Sequence, residues 1–468
     1  MKHLGPRPPR ERDPQRPRGR GTIWAVRLGL PVFLVVGILI LPRLSGTGSK
    51  AGPFRVSGHV GSAVELTATA GCRALPPSTT AEQVVASAET SFALSFLRSS
   101  EASASGTADV VEAPLSLAEA LTMLGTGAGG RTEAEIEQAL GWSGRSTGDQ
   151  GQGWQALRAD LLAPAGGVVT VDDATSLWTR QGLSPAVPFL SGLKCSFGAG
   201  LWEADFAAHP DQARAAINAW ADQVTAGRIP TLIGPADLDA DTFFVLVDAA
   251  FFRAPWSTPF SPDTPTGSFT TASGPIEQVP FLSLDEPLQI QASLTPGADL
   301  VELPYGGGRY VADVLMPVGT PLPDFVARLT DATWAGLLGG LRATSTKVTM
   351  PVLHLQATTD LQDDLTTLGM PTMFGLGADF SPITTTPIQI TKAVQDTTLD
   401  VTASGTEASG ATGFVGGLLA RYPTVTVDHP YLFFVRDTVT GAILFDAAVS
   451  APWRGAASRD PRPTFRTR

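Results

Sequence analysis

The 468-residue chain has little of what catalytic and metal sites are built from: five histidines and two cysteines. His3, His59, His209, His354 and His429 are scattered, and no HExxH, CxxC, GxSxG or phosphate-loop pattern occurs. Metal coordination needs clustered ligands, and none cluster. A Ser/His/Asp hydrolase would have to draw on His209, His354 or His429. His429 precedes Pro430 ahead of an apolar run, the setting of a structural hydrogen bond, and His354 lies in an alternating run, the setting of a wall residue. The chain is therefore not expected to be an enzyme, and no metal or cofactor is expected. Cationic charge is also scarce. Lys plus Arg number 33 against 44 Asp plus Glu, a net charge of −11, and the pI is about 5.0. That balance argues against nucleic acid as a partner. The two cysteines, Cys72 and Cys195, are too few for a disulfide scaffold.

What is there begins with a Pro/Arg-rich segment. Residues 1–22 hold no core-forming run and are expected to be a disordered tail. Residues 23–41 are apolar apart from Arg27, with Pro31 inside, and their basic flank would stay cytoplasmic. The following Pro42-Arg43-Leu44-Ser45-Gly46 is a poor small-x-small cleavage site. An uncleaved signal anchor is favoured over a cleaved signal peptide, and either places the rest of the chain outside the cytoplasm. Residues 42–80 carry Ser/Thr/Gly/Pro clusters and one short apolar run, residues 63–66, and read as a linker or stalk. An oxidising compartment would permit a Cys72–Cys195 bridge; two unpaired thiols fit the sequence nearly as well.

Residues 81–453 read as globular, with residues 454–468 a second disordered tail. Helical periodicity marks residues 81–97 and 115–125. Thr132 followed by Glu135 reads as a capping box for a helix over 133–140. Residues 168–178 read as a strand. Pro210 opens a helix to about residue 226 that buries Ala216, Ile217, Trp220 and Val224 and stops at Gly227. Residues 242–253 are long and apolar enough for a central strand covered on both faces. Further helices are expected near 323–338 and 360–368, and strands at 347–354, 388–401, 424–427, 431–437 and 442–449. Helices first and strands later is the α+β pattern.

The stretch at 405–424, GTEASGATGFVGGLLARYPT, is built unlike its flanks. With few bulky residues, no helical stripe and several glycines, it is by default an exposed loop. As a strand it would send Thr406, Ala408, Gly410 and Thr412 to one face and Glu407, Ser409 and Ala411 to the other. The first set is small or β-branched and uncharged, and no proline removes a donor. The same residues can be a loop or a buried strand. GTEASGAT, then a variable loop, then VDHPYLFFVRDTVTGAILFDAAV, resembles the hinge, reactive loop and C-terminal strands of a serpin. APLSLAEALTMLGTGAGGRTEAEIEQALGW, DFAAHPDQARAAINAWADQVTAGRIPTLI, LVDAAFFRAPWSTPF, VELPYGGGRYVADVLMP and ADFSPITTTPIQITKAV resemble further serpin blocks and follow in the family's order. The resemblance covers about residues 81–452.

The resemblance implies a serpin fold: helices around a large main sheet, further sheets, and an exposed reactive loop. It implies a suicide-substrate inhibitor of serine proteases. The protease cuts the loop, the cut loop inserts into the main sheet as an added strand, and strain held in the native state is released. Gly405, Thr406, Glu407, Ala408, Ser409, Gly410, Ala411 and Thr412 would be the hinge. The family's spacing from Gly405 and from Pro430 puts the scissile bond at Leu419-Ala420, with cutting after Leu418 or Arg421 as alternatives. Leu419 implies a partner protease with an apolar primary pocket, chymotrypsin-, subtilisin- or elastase-like; Arg421 implies a trypsin-like one. A monomer is expected, attached to the membrane only through its N-terminal segment, and the acidic balance argues against a polyanion activator. Ser116, Asp248, Gln395 and Trp256 are the expected sheet-opening residues. Several positions depart from the family: Ala113 replaces a serine, Asp248 the usual asparagine, Ala403 a glutamate, and Asp446 and Ala447 an apolar residue and a glycine. Asp248, buried on a central strand, must find donors or be protonated, and Gln395 and Ser116 are the candidate donors. Two rival readings remain: a non-inhibitory serpin-fold carrier or binding protein, against which the small hinge residues argue, and an anchored surface interaction protein.

Overall fold

The structure, a computed structural model, describes residues 54–69, 71, 72, 79–104, 106, 108–161, 169–284, 287–406 and 423–452. The two tails, the apolar segment 23–41 and most of the 405–424 loop lie outside the described residues. Among the described residues no helix is long and apolar enough to cross a membrane.

The first sheet has the strand order β1 (Phe54–Val60), β2 (Ala63–Ala68), β5 (Leu201–Ala204), β4 (Thr170–Arg180), β6 (Phe244–Pro255), β15 (Gly405–Thr406), β14 (Ile390–Thr402) and β13 (Leu353–Asp360). β6 is apolar on both faces because both are covered. Leu246, Ala250, Phe252 and Ala254 enter the main core, which also takes in residues of α2 (Pro114–Gly125). Val245, Val247 and Ala249 pack on the opposite side with Ile217 and Trp220 of α6 (Pro210–Val224). α6 begins on a proline, whose missing N–H costs a first turn nothing. Gly227 beyond its end has φ +86°.

The second sheet runs β3 (Val110–Glu112), β18 (Ile443–Val449), β17 (Tyr431–Asp437), β11 (Tyr310–Pro317), β10 (Ala298–Pro304), β9 (Leu288–Leu294), β12 (Arg342–Pro351), β8 (Gly274–Ser283) and β7 (Thr266–Thr271), with β16 (Thr424–Thr426) parallel to β12. Its strands alternate between two cores. Phe433, Val435, Phe445 and Ala447 face the main core. Leu432, Phe434, Ile443 and Ala448 face a smaller one, built with Leu97 of α1 (Thr79–Ala104), Leu322 of α7 (Leu322–Val326) and Trp334 of α8 (Asp331–Gly339). The remaining α-helices among the described residues are α3 (Gly130–Ala139), α4 (Thr147–Leu161), α5 (Val187–Gly192) and α9 (Gln362–Thr367). The arrangement is α+β.

Four expectations from sequence need correction. The linker assigned to 42–80 contains β1 and β2, an antiparallel hairpin that extends the first sheet beyond β5. Gly61-Ser62, with Gly61 at φ +57°, is a two-residue hairpin turn whose signal the Ser/Thr/Gly composition hides. The Thr132/Glu135 pair caps no helix. α3 starts after Gly129 without a side-chain cap, and Thr132 and Glu135 instead accept the backbone N–H groups of Asp379 (3.0 Å) and Thr372 (2.9 Å). The helix expected over 323–338 is two helices, because Thr330 and Thr333 form a capping box that starts α8 afresh. The strand expected over 347–354 breaks between Pro351 and Leu353 and feeds both sheets. Cys72 and Cys195 are bonded, with a Cα–Cα distance of 5.3 Å and a sequence separation of 123.

Candidate functional site

Along most of their length β6 and β14 are direct parallel neighbours, from Ile390 opposite Phe244 to Thr398 opposite Phe251. At their C-terminal ends they part, and β15 lies between them, antiparallel to both. Gly405 faces Pro255 and Thr402; Thr406 faces Ala254 and Val401. Glycine is required at 405: φ is +145°, and a Cβ would stand 2.3 Å from the Ala254 carbonyl oxygen. Thr406 is fully buried, and its hydroxyl shares a 2.8 Å hydrogen bond with the Tyr305 phenol. Burial holds that phenol neutral by raising its pKa. Tyr305 stacks on Trp256 with ring centroids 4.4 Å apart, and Trp256 Nε1 donates to the Thr402 carbonyl at 2.9 Å. The turn leading into β15 is held through its backbone: the N–H of Trp256 donates to Ser404 O (3.1 Å) and that of Phe260 to Ala403 O (2.8 Å). Ala403 therefore serves here through its carbonyl, where a glutamate side chain is absent.

Farther down the same pair of strands lies a polar cluster. Asp248 on β6 is fully buried. Its Oδ2 accepts from Ser116 Oγ at 2.7 Å and Gln395 Nε2 at 2.6 Å, and its Oδ1 from Thr175 Oγ1 at 3.0 Å. Gln395 also grips the backbone before α2: Oε1 accepts the Ala113 N–H at 3.1 Å, and Nε2 donates to Ala113 O at 3.0 Å. One amide thus ties β14 to β6 and to the start of α2. The hydroxyl missing at Ala113 is not needed for this grip, which uses the main chain. Burial pushes the Asp248 carboxyl up to about 6, against the three hydrogen bonds that lower it.

Ser116, Asp248 and Gln395 are brought together, and Trp256 sits apart at the far end of β6. Thr175, on β4 opposite Asp248, completes the cluster; only strand register reveals it. Gly405 and Thr406 are placed in the sheet. Glu407, Ala408, Ser409, Gly410, Ala411, Thr412, Leu418, Leu419, Ala420 and Arg421 lie outside the described residues. Two of the described histidines have partners outside the site: His354 pairs with Asp400 at 2.8 Å, and His429 bridges Asp428 and the Pro317 carbonyl. Among the described residues no group of three metal-ligating side chains occurs.

Comparison with known proteins settles what such a sheet belongs to. Residues 87–452 match the family model for Serpin (serine protease inhibitor). The chain belongs to the serpin family. It is 32% identical over 347 residues to Iripin-3 of Ixodes ricinus, across 72% of this chain and 87% of that protein. It is 28% identical over 382 residues to the leukocyte elastase inhibitor of Bos taurus, across 79% and 99%. Among solved structures, native protease nexin-1 with heparin superposes with a TM-score of 0.70 at 25% identity, covering 80% of this serpin and 99% of that chain. Thyroxine-binding globulin in complex with thyroxine superposes equally well, TM-score 0.70, at 22% identity, a likeness of fold alone. The hairpin β1–β2 lies before the residues matched to the family.

Proposed function

We propose that this serpin is a suicide-substrate inhibitor of serine proteases, acting by cleavage of the 405–424 loop and its insertion between β6 and β14. The observation that carries the proposal is β15. The loop's first two residues already occupy the gap between these strands, in antiparallel register with both. Lengthening the strand in that register requires no sliding of β14 against β6. The six-residue step that takes Thr406 to Thr412 also takes Ala254 to Asp248 and Val401 to Gln395, and Asp248 and Gln395 are partners now. Ala408, Gly410 and Thr412 would follow Thr406 onto the core side. None of them is charged, so burial there leaves no ionised group behind.

In this reading Leu419-Ala420 is the scissile bond and the target carries an apolar primary pocket that buries Leu419. Leu418 and Arg421 are the competing positions. The disulfide supports an extracytoplasmic site of action, with residues 23–41 as anchor or signal. The test is to mix the full-length protein separately with chymotrypsin, subtilisin and trypsin, run denaturing gels and weigh the released C-terminal peptide. A denaturant-stable complex and a peptide beginning at Ala420 are expected. A peptide beginning at Tyr422 moves the bond to Arg421. Loop cleavage with no complex, and no rise in thermal stability afterwards, overturns the inhibitory reading and leaves a carrier or surface-binding serpin.

A further inference from the structure

Beneath α1 lies a group of buried acids that the sheet mechanism does not use. Glu112 on β3 stands directly opposite Asp446 on β18, so both side chains leave the same face of the second sheet. They are 2% and 0% exposed. Among the described residues, none of their four carboxyl oxygens has a donor at hydrogen-bond geometry. Asp446 stands where the family usually has an apolar residue.

The surroundings add acid, not base. α1 contributes Glu89, buried beside Asp446, and α9 contributes Asp364; Glu101 of α1 is buried as well, with Asp109 as its charged neighbour. Glu89 Oε2 accepts the Ile443 N–H at 3.0 Å, and Asp109, just before β3, accepts the N–H groups of Ser450 and Ala451. Cations on the neighbouring elements point to other partners. Arg98 of α1 binds the Leu329 carbonyl. Arg158 of α4 meets Glu119 of α2. Lys392 of β14 meets Asp237 and Asp360, and Arg436 of β17 meets Glu302 and Asp313; the His354 ring on β13 is taken up by Asp400.

Two carboxylates facing each other in a dry interior with no cation cannot both ionise. We propose that Glu112 and Asp446 share one proton at neutral pH, and that this proton pins β3 to β18 and so helps hold the native sheet arrangement against spontaneous conversion. The physical causes act together. Burial first, and then the facing Asp446, hold the Glu112 carboxyl well above the ordinary carboxylate range; the nearby Ser100 hydroxyl on α1 acts the other way without reversing the shift. Burial likewise raises Asp446, with Glu89 adding to it. The route to the main sheet is short: the residue after Glu112 is Ala113, whose N–H and carbonyl both bind Gln395. This last step rests on the insertion reading above; the shared proton does not.

The sign follows from linkage. The native pair keeps a proton that the unfolded chain gives up in the ordinary carboxylate range. The pair's contribution to stability is therefore greatest in acid and falls as pH rises towards the pair's own pKa, about tenfold in the folding constant per pH unit. The test compares the full-length protein with Glu112→Gln/Asp446→Asn. Infrared spectra of the native protein at neutral pH should show a protonated-carboxyl C=O band that shrinks in the variant. The slope of urea stability between about pH 5 and pH 8 should fall by about one proton. Conversion of the uncleaved protein to a loop-inserted form should quicken with rising pH in the parent and respond less in the variant. An unchanged band with an unchanged slope overturns the shared proton. A changed band and slope with unchanged conversion overturns its hold on the sheet. Should the amide variant not fold, Glu112→Leu/Asp446→Leu carries the same comparison, and absence of any protonated-carboxyl band in the parent overturns the proposal by itself. A protein that forms no protease complex leaves the infrared and slope results standing, so the two readings fail separately.

Discussion

Asp248→Asn tests the polar cluster under the sheet most directly. Asp248 is fully buried with its carboxyl raised to about 6, while an aspartate in the unfolded chain titrates near ~3.9. The native state thus holds a proton over about two pH units in which the unfolded chain has lost it, a linkage of about 3 kcal/mol. The raised native pKa gives stability that is fully present below about pH 4 and lost as pH rises through about 6. Asparagine removes the titration and keeps the shape. Its Oδ1 can accept from Gln395 and Ser116, and its Nδ2 can donate to the Thr175 hydroxyl, which then accepts. The quantity to read is the difference in urea stability between variant and parent, because other buried acids contribute to both curves and cancel. That difference should be level below about pH 4, move in favour of asparagine between about pH 4 and pH 6, and settle about 3 kcal/mol higher. A difference that stays level from acid to pH 8, or moves in favour of aspartate, refutes the reasoning that burial outweighs the three hydrogen bonds at Asp248.

Three further substitutions probe the wedge and the brace. Gly405→Val puts a Cβ against the Ala254 carbonyl and should expel β15, so that denaturing gels with a target protease show cleaved serpin in place of complex, while the uncleaved protein stays folded. Tyr305→Phe strands the buried Thr406 hydroxyl and should cost the native form about 1–2 kcal/mol in urea unfolding; adding Thr406→Val should recover most of it. Cys72→Ser with Cys195→Ser opens a closure across 123 residues and should cost about 5 kcal/mol on the chain-entropy account, read as a fall in the urea midpoint.

Much of the architecture is legible in the chain because the strong periodic segments agree with their tertiary surroundings. FVLVDAAFF suits a strand covered on both faces, and it forms one. α6 carries both its proline start and its glycine stop. What escapes notice is structure whose signal is compositional or remote. α4 is rich in glycine and glutamine, yet Trp154, Leu157 and Leu161, a sparse stripe on one face, are buried, and Trp154 Nε1 donates to the Thr122 hydroxyl of α2; three large apolar residues in fifteen are too few to stand out. The hairpin β1–β2 is polar enough to pass for a stalk because it lies at a sheet edge. Thr132 and Glu135 satisfy a helix-start pattern, but the loop at 372–379 offers them better partners than their own helix.

The site divides along the same line. That Asp248 needed donors follows from its place in an apolar run, and Ser116 and Gln395 supply two. Thr175 supplies the third from 73 residues away, a pairing fixed by β4–β6 register alone. Register also governs what insertion would cost. β15 lies at a point where β6 and β14 are already aligned for a longer strand, so on the insertion reading the barrier would lie in separating their direct hydrogen bonds and the Asp248–Gln395 contact, not in shifting one strand along the other. Substitutions that weaken those bonds should speed insertion. A one-residue insertion or deletion in the turn between Thr402 and Gly405 should misalign Thr406 from Ala254 and Val401 and send every later side chain to the wrong face, since a one-residue slip exchanges core and surface along the whole strand.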